Sequence, residues 1–208
     1  AAAGGYTAIA CQPNTDPVIH SKSEVRYLID NTRDKLTECL PIGAISRNCE
    51  GRDITEMLDM QAAGAVAFSD GEKPVQHNGL LLRALLYVKS FKGLVINQAL
   101  DQSIASSGQI HEGVVSTSLG MKGIPALAEE MMVQRDINLL AYTDSRLHLS
   151  GVSSAAAVEL VRWAKARGLQ LTASVPVMNL LFDEDALRDF DPRYKVLPPL
   201  RGVEDREA

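Results

Sequence analysis

Short apolar runs alternate with helical patterns along this chain, and the alternation limits its possible folds more than any other feature. Six runs have the near-continuous apolar character of strands that are covered on both faces. They lie at residues 6–11, 39–45, 65–69, 94–98, 146–150 and 169–175. Apolar residues recur at helical spacing between them. This spacing predicts helices at residues 24–38, 54–63, 79–91, 125–142, 155–167 and 183–189.

Repeated strand–helix–strand units require parallel strands joined by right-handed crossovers. The α/β pattern leaves two architectures open, a doubly wound open sheet and a closed (β/α) barrel. The regular rhythm favours the barrel, although a closed barrel normally has about eight strands. Residues 1–5 have the pattern of a helix ending at glycine, and residues 204–208 have that of a helix beginning. We therefore expect one partial barrel domain over residues 1–208, truncated at both ends.

The composition argues against several classes of protein. Apolar residues make up 46% and charged residues 23% of the chain, which is ordinary for a globular protein. The formal net charge is −5 and there is no run of lysines or arginines, so a nucleic-acid or anionic-membrane surface is not expected. No apolar stretch approaches the ~20 residues that cross a bilayer.

The three cysteines, Cys11, Cys39 and Cys49, lie in or beside apolar segments. No CxxC pair and no Cys/His ligand spacing is present. This placement favours buried free thiols in a reducing compartment over a disulfide.

Residues 100–123 interrupt the rhythm, since they show no periodicity and contain four glycines. Long irregular loops are uncommon in compact domains and are often functional. The segment follows a strand, so in a barrel we expect it to be a loop over the face where chemistry occurs.

Several strings resemble dihydroorotases, the zinc-dependent members of the amidohydrolase superfamily that interconvert carbamoyl aspartate and dihydroorotate. Residues 1–15, AAAGGYTAIACQPNT, are similar to the family's AAAGGFTTVVCMPNT. Residues 64–74, GAVAFSDGEKP, resemble GAVAFSDDGKP, and residues 195–207, KVLPPLRGVEDRE, resemble KVNPPLRTEEDRE. Residues 39–46, 111–130 and 146–168 carry further similar strings, so the resemblance runs through the whole chain in order. It implies a (β/α)8 TIM-type barrel, of which this chain would supply about strands two to seven.

The same resemblance implies a metal site whose ligands are altered here. The family's zinc ligands are an HxH on the first strand, an Asp after the fourth, a His on each of the fifth and sixth, and an Asp on the eighth. The fifth-strand histidine position holds Gln98, and the sixth-strand position holds Gly151. The family's SDD becomes Ser69, Asp70 and Gly71, so Asp70 is a weak candidate ligand.

Of two positions that bind substrate in the family, one is altered in this chain and the other matches. The substrate-binding asparagine of the family's NPPLR string is replaced by Leu197, whereas Asn14 matches the asparagine that hydrogen-bonds the substrate. Asn14 is equally compatible with a simple turn role, whereas the sequence favours a strand-end turn or cap over a metal ligand for Asp70.

Four other side chains invite a functional interpretation, but the sequence favours an ordinary one. His148 is expected to be a packed core histidine facing away from Gly151, because strand side chains alternate. His111 and Glu112 are expected at a solvated or interface position rather than as an acid/base pair. Arg201 is expected to be exposed, although it could bind a carboxylate.

Three functions remain open. The first is a catalytically inactive dihydroorotase-like protein of pyrimidine biosynthesis, without a cofactor in this chain, that supports assembly of aspartate transcarbamoylase, as degenerate members of the family do. The second is an active zinc-dependent cyclic amidohydrolase. The third is a diverged barrel with an unrelated binding role. We further expect a homodimer or larger assembly in the cytoplasm.

Overall fold

The computed structural model describes residues 1–208. Eight strands are present: β1 (Ala8–Cys11), β2 (Glu38–Ala44), β3 (Ala67–Ser69), β4 (Val95–Gln98), β5 (Ile110–His111), β6 (Gly123–Ile124), β7 (Leu147–Ser150) and β8 (Leu171–Ala173). Nine α-helices accompany them: α1 (Lys22–Thr32), α2 (Met57–Ala63), α3 (Asn78–Lys89), α4 (Gln102–Ala105), α5 (Val114–Leu119), α6 (Leu127–Thr143), α7 (Ala155–Ala166), α8 (Val177–Leu181) and α9 (Val203–Glu207). Short 3-10 turns occur at Ala2–Gly4, Arg47–Cys49, Glu184–Leu187 and Pro192–Tyr194. No helix combines the length and apolar character that a membrane span requires.

Six strands form one sheet in the order β1-β2-β3-β4-β7-β8, while β5 and β6 pair separately. The pairs β1–β2, β2–β3 and β3–β4 are all parallel, with Ile9 opposite Cys39 and Phe68 opposite Val95. All six predicted strands are therefore confirmed. The physical reason is that strands of a parallel sheet carry apolar residues along most of their length, which makes them visible in the sequence. The first three residues of β1 and the last two of β8 are nevertheless exposed here.

The chain divides into two compact units, of which the first comprises residues 1–97 and 143–147. Its core is built from large aliphatic and aromatic side chains that are essentially inaccessible to solvent: Ile42, Ile45, Met57, Met60, Phe68, Leu80, Leu81 and Leu85. A Cβ atom at Gly43 would lie 2.9 Å from Met60 Sδ. The glycine thus permits α2 to lie against β2 at close range.

Helix α1 begins at a capping box and is shorter than predicted. Ser21 accepts a hydrogen bond from the Ser23 N–H at 3.2 Å, and Glu24 accepts one from the Ser21 N–H at 2.8 Å. The helix ends at Thr32, so the predicted extension to residue 38 is wrong. Leu36, which fits the apolar spacing of that helix, is 93% exposed.

The second unit comprises residues 98–142 and 148–208. Here Ser174 N–H donates to Leu149 O at 3.0 Å, and Val152 N–H donates to Ser174 O at 2.9 Å, which ties β7 to the segment after β8. Ser154 caps α7 by accepting the Ala157 N–H at 3.3 Å. The helix predicted at residues 183–189 is a 3-10 turn, Glu184–Leu187.

The prediction of an irregular loop over residues 100–123 is wrong. The segment contains α4, β5 and α5 and ends at β6. Two small apolar clusters hold it in place: Ile110, Val115 and Leu187 form one, and Ala105, Ile124 and Ala128 form the other. Its elements are two to six residues long, which is too short to produce a readable hydrophobic period.

Candidate functional site

In the first unit, Asp70 immediately follows β3 and is only 3% exposed. Ser46 N–H donates to Asp70 Oδ1 at 2.8 Å, and the Ser46 hydroxyl donates to Oδ2. The Ser46 hydroxyl oxygen in turn accepts the Gly51 N–H at 2.7 Å. Burial raises the pKa of Asp70, while the hydrogen bonds from Ser46 oppose the rise. Because both carboxylate oxygens are engaged, the geometry favours a structural role in holding the turn after β2.

The side chain of Asn14 lies beside Gly71, the residue that follows Asp70. A Cβ atom at Gly71 would lie 2.7 Å from Asn14 Oδ1 and 3.0 Å from its Cγ, so the amide rests directly against the glycine backbone. Gly71 has φ +68°, a conformation that favours glycine. A side chain here would displace the Asn14 amide. The structure thus brings together the surviving asparagine and a position where the similar family string has a second aspartate.

In the second unit, Gln98 ends β4 and is half-buried. Nearby, Asp101 caps α4 by accepting the N–H groups of Ser103 and Ile104 at 2.8 and 3.1 Å. The pKa of Asp101 is lowered, chiefly by the hydrogen bond from the Ser103 hydroxyl. The end of β4 therefore presents a neutral amide, while Asp101 serves as a helix cap.

Gly151 follows β7 and has φ +73°. A Cβ atom built on it would lie 3.2 Å from Pro198 Cδ, so the structure brings Gly151 beside the segment that contains Leu197. Leu197 itself is 54% exposed. Neither position offers a polar side chain. A larger residue at Gly151 would require both a strained backbone and movement of Pro198.

His148 is half-buried, and both of its ring nitrogens are engaged. Nδ1 lies 2.8 Å from Thr172 Oγ1, and Nε2 lies 3.1 Å from Ser174 Oγ. Burial lowers the pKa of the imidazole. The burial pattern of β7 alternates, with Leu147 and Leu149 fully buried. His148 is thus a strand histidine bonded to two hydroxyl groups rather than a fully packed core residue.

A buried ion pair in the second unit was missed from the sequence. Glu129, in the first turn of α6, is 2% exposed and accepts the N–H groups of Ser153 and Ser154 at 2.8 and 2.9 Å. The hydroxyl groups of both serines also donate to it. Arg201 Nη2 lies 3.4 Å from Glu129 Oε2. The carboxylate thus holds the turn that leads from Gly151 into α7.

The expectation that Arg201 is exposed is wrong, since it is only 2% exposed. Its Nε donates to Ser153 Oγ at 3.1 Å and its Nη1 to Ile124 O at 2.9 Å, while Nη1 lies 3.2 Å from His111 Nδ1. Burial, and secondarily the Arg201 charge, lowers the pKa of His111. His111 belongs to this buried network, and the exposed Glu112 gives no sign of an acid/base pair. The sequence signal for the network was that Glu129 and Arg201 both lie in strings similar to the family, at residues 111–130 and 195–207.

The sequence profile of the Dihydro-orotase-like family matches residues 1–157. The chain belongs to the dihydroorotase-like family. The dihydroorotase of Pelotomaculum thermopropionicum is 45% identical over the whole of this chain, and that of Acetivibrio thermocellus is 44% identical. In both cases the match covers 49% of the relative, so the chain spans about half the length of these curated proteins.

Solved structures support the fold of this dihydroorotase-like chain. An L-hydantoinase (dihydropyrimidinase) from Arthrobacter aurescens superposes with a TM-score of 0.81 at 21% identity, covering 98% of this chain and 47% of its own. A Saccharomyces cerevisiae dihydroorotase in complex with 5-fluoroorotic acid superposes with a TM-score of 0.69 at 15% identity, covering 98% and 57%. The chain has the fold of about strands two to seven of an amidohydrolase (β/α)8 barrel, which confirms the barrel over the doubly wound alternative.

The residues of this dihydroorotase-like chain do not fit a zinc centre by themselves. Zinc requires imidazole, thiolate or carboxylate ligands. Gln98 offers an uncharged amide, Gly151 offers no side chain, and both oxygens of Asp70 accept hydrogen bonds from Ser46. No three His, Cys, Asp or Glu side chains of the chain cluster as a potential metal site.

Proposed function

We propose that this chain belongs to a catalytically inactive dihydroorotase homologue that serves as a structural or regulatory partner of aspartate transcarbamoylase in pyrimidine biosynthesis. The observation that carries the proposal is Gly151. Its lack of a side chain, its φ of +73° and the nearby Pro198 ring together leave no donor at a position where the family is expected to have a histidine.

The contrast between the altered positions and the nearby scaffold supports this proposal. Glu129, Arg201 and Ser153 form a buried hydrogen-bonded network, of which Ser153 lies only two residues beyond Gly151. Such a network contributes to a unique packing arrangement. A chain that keeps this scaffold while presenting Gln98 and Gly151 is suited to binding another protein through its surface.

An active zinc-dependent cyclic amidohydrolase is the second candidate. The similarity to proteins named dihydroorotase, at 41–45% identity, favours it. Asn14, which matches the family's substrate-binding asparagine, and Asp70, the weak candidate metal ligand, also favour it. Activity would require metal ligands from residues outside this chain, because Gln98 and Gly151 are unsuited to zinc.

The deciding experiment measures zinc content and dihydroorotase turnover of the full-length protein, before and after zinc loading. The dihydroorotase of Pelotomaculum thermopropionicum, prepared and loaded in the same way, is the positive control. Under our proposal the full-length protein binds no stoichiometric zinc and interconverts no carbamoyl aspartate and dihydroorotate. Stoichiometric zinc with turnover would establish the second candidate.

The partnership is tested separately by gel filtration of the full-length protein with aspartate transcarbamoylase from the same organism. We expect a complex in which the homologue co-migrates with the transcarbamoylase, and a homodimer or larger assembly in its absence. An inactive protein that fails to co-migrate would instead favour an unrelated binding role. Cytoplasmic location, without nucleic-acid or membrane binding, is part of the same proposal.

A further inference from the structure

Two cysteine thiols face each other on neighbouring strands of the first unit. Cys11 is the last residue of β1, and Cys39 is the second residue of β2. Both are free and half-buried, so the expectation of fully buried thiols holds only for Cys49. The Cys39 Sγ atom lies 3.5 Å from Cys11 Sγ and donates a hydrogen bond to it.

The strand register explains how the two sulfur atoms meet. Cys39 is paired with Ile9, and Cys11 lies two residues beyond Ile9 on the same strand. Residues two apart on a strand project from the same face. The cysteines are therefore diagonal neighbours on one face of the parallel sheet, and their side chains lean toward each other.

This diagonal placement disfavours a disulfide. With strands about 4.8 Å apart and a rise of about 3.3 Å per residue, the two Cα atoms are about 8 Å apart. Cysteines more than about 7 Å apart at Cα cannot be bridged without movement of the backbone. The two sulfur atoms are close enough to bind one common atom, but their Cα atoms are too far apart for a direct disulfide bond.

A single atom bonded to both sulfur atoms fits the spacing without such movement. With two bonds of about 2.3 Å, the length of a zinc–thiolate bond, a sulfur–sulfur span near that observed corresponds to an angle of about 100° at the bridging atom. Trivalent arsenic has pyramidal bonding with similar bond lengths and angles. Zinc would need two further ligands, and no third metal-binding side chain accompanies the pair.

We propose that Cys11 and Cys39 form a dithiol site for a monosubstituted trivalent arsenical. Two arsenic–oxygen bonds of the hydrated arsenical break and two arsenic–sulfur bonds form. Each thiol proton leaves with a hydroxide as water, so nothing is oxidised or reduced. Burial and the neighbouring Cys11 raise the pKa of Cys39 to about 11, so this thiol stays protonated at neutral pH. The condensation consumes thiols, whereas simple alkylation depends on thiolate.

The test uses phenylarsine oxide on the full-length protein, in the presence of excess monothiol, with the adduct located by peptide mass spectrometry. We expect one arsenical per chain bridging the peptides that contain Cys11 and Cys39. The adduct should resist the monothiol and be removed by 2,3-dimercaptopropanol. Iodoacetamide should modify Cys39 slowly in the untreated protein.

Three serine variants provide the comparison. Cys11→Ser and Cys39→Ser should each weaken phenylarsine oxide binding at least about tenfold, because only one arsenic–sulfur bond can then form. Cys49→Ser is the matched control, since it removes a free thiol but leaves the pair, and it should bind as the parent does. Cys11→Ala and Cys39→Ala, checked by circular dichroism, separate loss of the site from misfolding.

Results of two kinds, on arsenical binding and on disulfide formation, would overturn the proposal. One is undiminished arsenical binding by a folded Cys11 or Cys39 variant, or an adduct that maps to Cys49. The other is rapid formation of a Cys11–Cys39 disulfide in air, which would contradict the inferred Cα separation.

Discussion

Replacing Arg201 with methionine should destabilise the protein by about 4 kcal/mol, because it leaves a buried carboxylate without its cation and a carbonyl without its donor. Arg201 and Glu129 have side chains that are 1% and 2% exposed, so water cannot replace the lost charge. Methionine is chosen because it keeps an unbranched stem of similar shape.

The magnitude follows from what Glu129 retains. Removing one member of a buried ion pair typically costs about 3–5 kcal/mol. Glu129 keeps its hydrogen bonds from Ser153 and Ser154, and its separation from Arg201 is a long 3.4 Å, both of which place the cost at the lower end. Ile124 O also loses its bond from Arg201, which adds about 1 kcal/mol.

The assay is equilibrium urea unfolding of the full-length protein at neutral pH. Arg188→Met is the matched control, because Arg188 forms an ion pair with Asp185 on the surface, where both side chains are more than half exposed. The control should change the free energy of unfolding by less than about 1 kcal/mol. Arg201→Met should show a clearly lower urea midpoint than the control.

A second variant tests the electrostatic cause. Adding Glu129→Gln to Arg201→Met removes the stranded charge while keeping an oxygen that accepts from Ser153 and Ser154. The double variant should recover at least about 1 kcal/mol relative to Arg201→Met alone. The reasoning would be refuted if Arg201→Met lowered the free energy of unfolding by less than about 1 kcal/mol, or if the double variant recovered none of that free energy.

Three further predictions concern the altered site and its surroundings. Asp70 has a raised pKa in the folded protein, so its ionisation should reduce stability as pH rises above the ordinary aspartate value of about 3.9. The free energies of unfolding of the parent and of Asp70→Asn should be compared from pH 4 to 7, and the difference should shift in favour of the variant. A difference that stays constant with pH would contradict this. His148 has a lowered pKa, so the protein should lose stability as pH falls through about 6.5, and His148→Gln should flatten that loss in urea titrations. Gly151→Ala should lower the free energy of unfolding by about 1–2 kcal/mol because of the positive φ at Gly151. Gly168→Ala, at φ +79° with open space around it, is the control for the added contact with Pro198. Equal shifts in the thermal midpoint of the two variants would show that the contact with Pro198 adds no cost.

A large part of the architecture could be predicted from residue type and local sequence pattern. The six strands of the main sheet were predictable because the strands of a parallel sheet are apolar along most of their length. The start of α7 was predictable from Ser154, because its hydroxyl oxygen satisfies the Ala157 N–H within one turn. That Gln98 and Gly151 offer no imidazole was also evident from the sequence, since it is a matter of residue type.

The tertiary structure decided what depends on distant partners. Arg201 was expected at the surface because a lone guanidinium is costly to bury, and only the fold brings it to Glu129, 72 positions earlier in the chain. The short elements between residues 100 and 123 are held by packing against Leu187 and Ala128, which no local period records. The meeting of Cys11 and Cys39 depends on the register between β1 and β2. Residue type and hydrophobic period are properties of a local sequence, whereas a buried partner is a property of the folded chain.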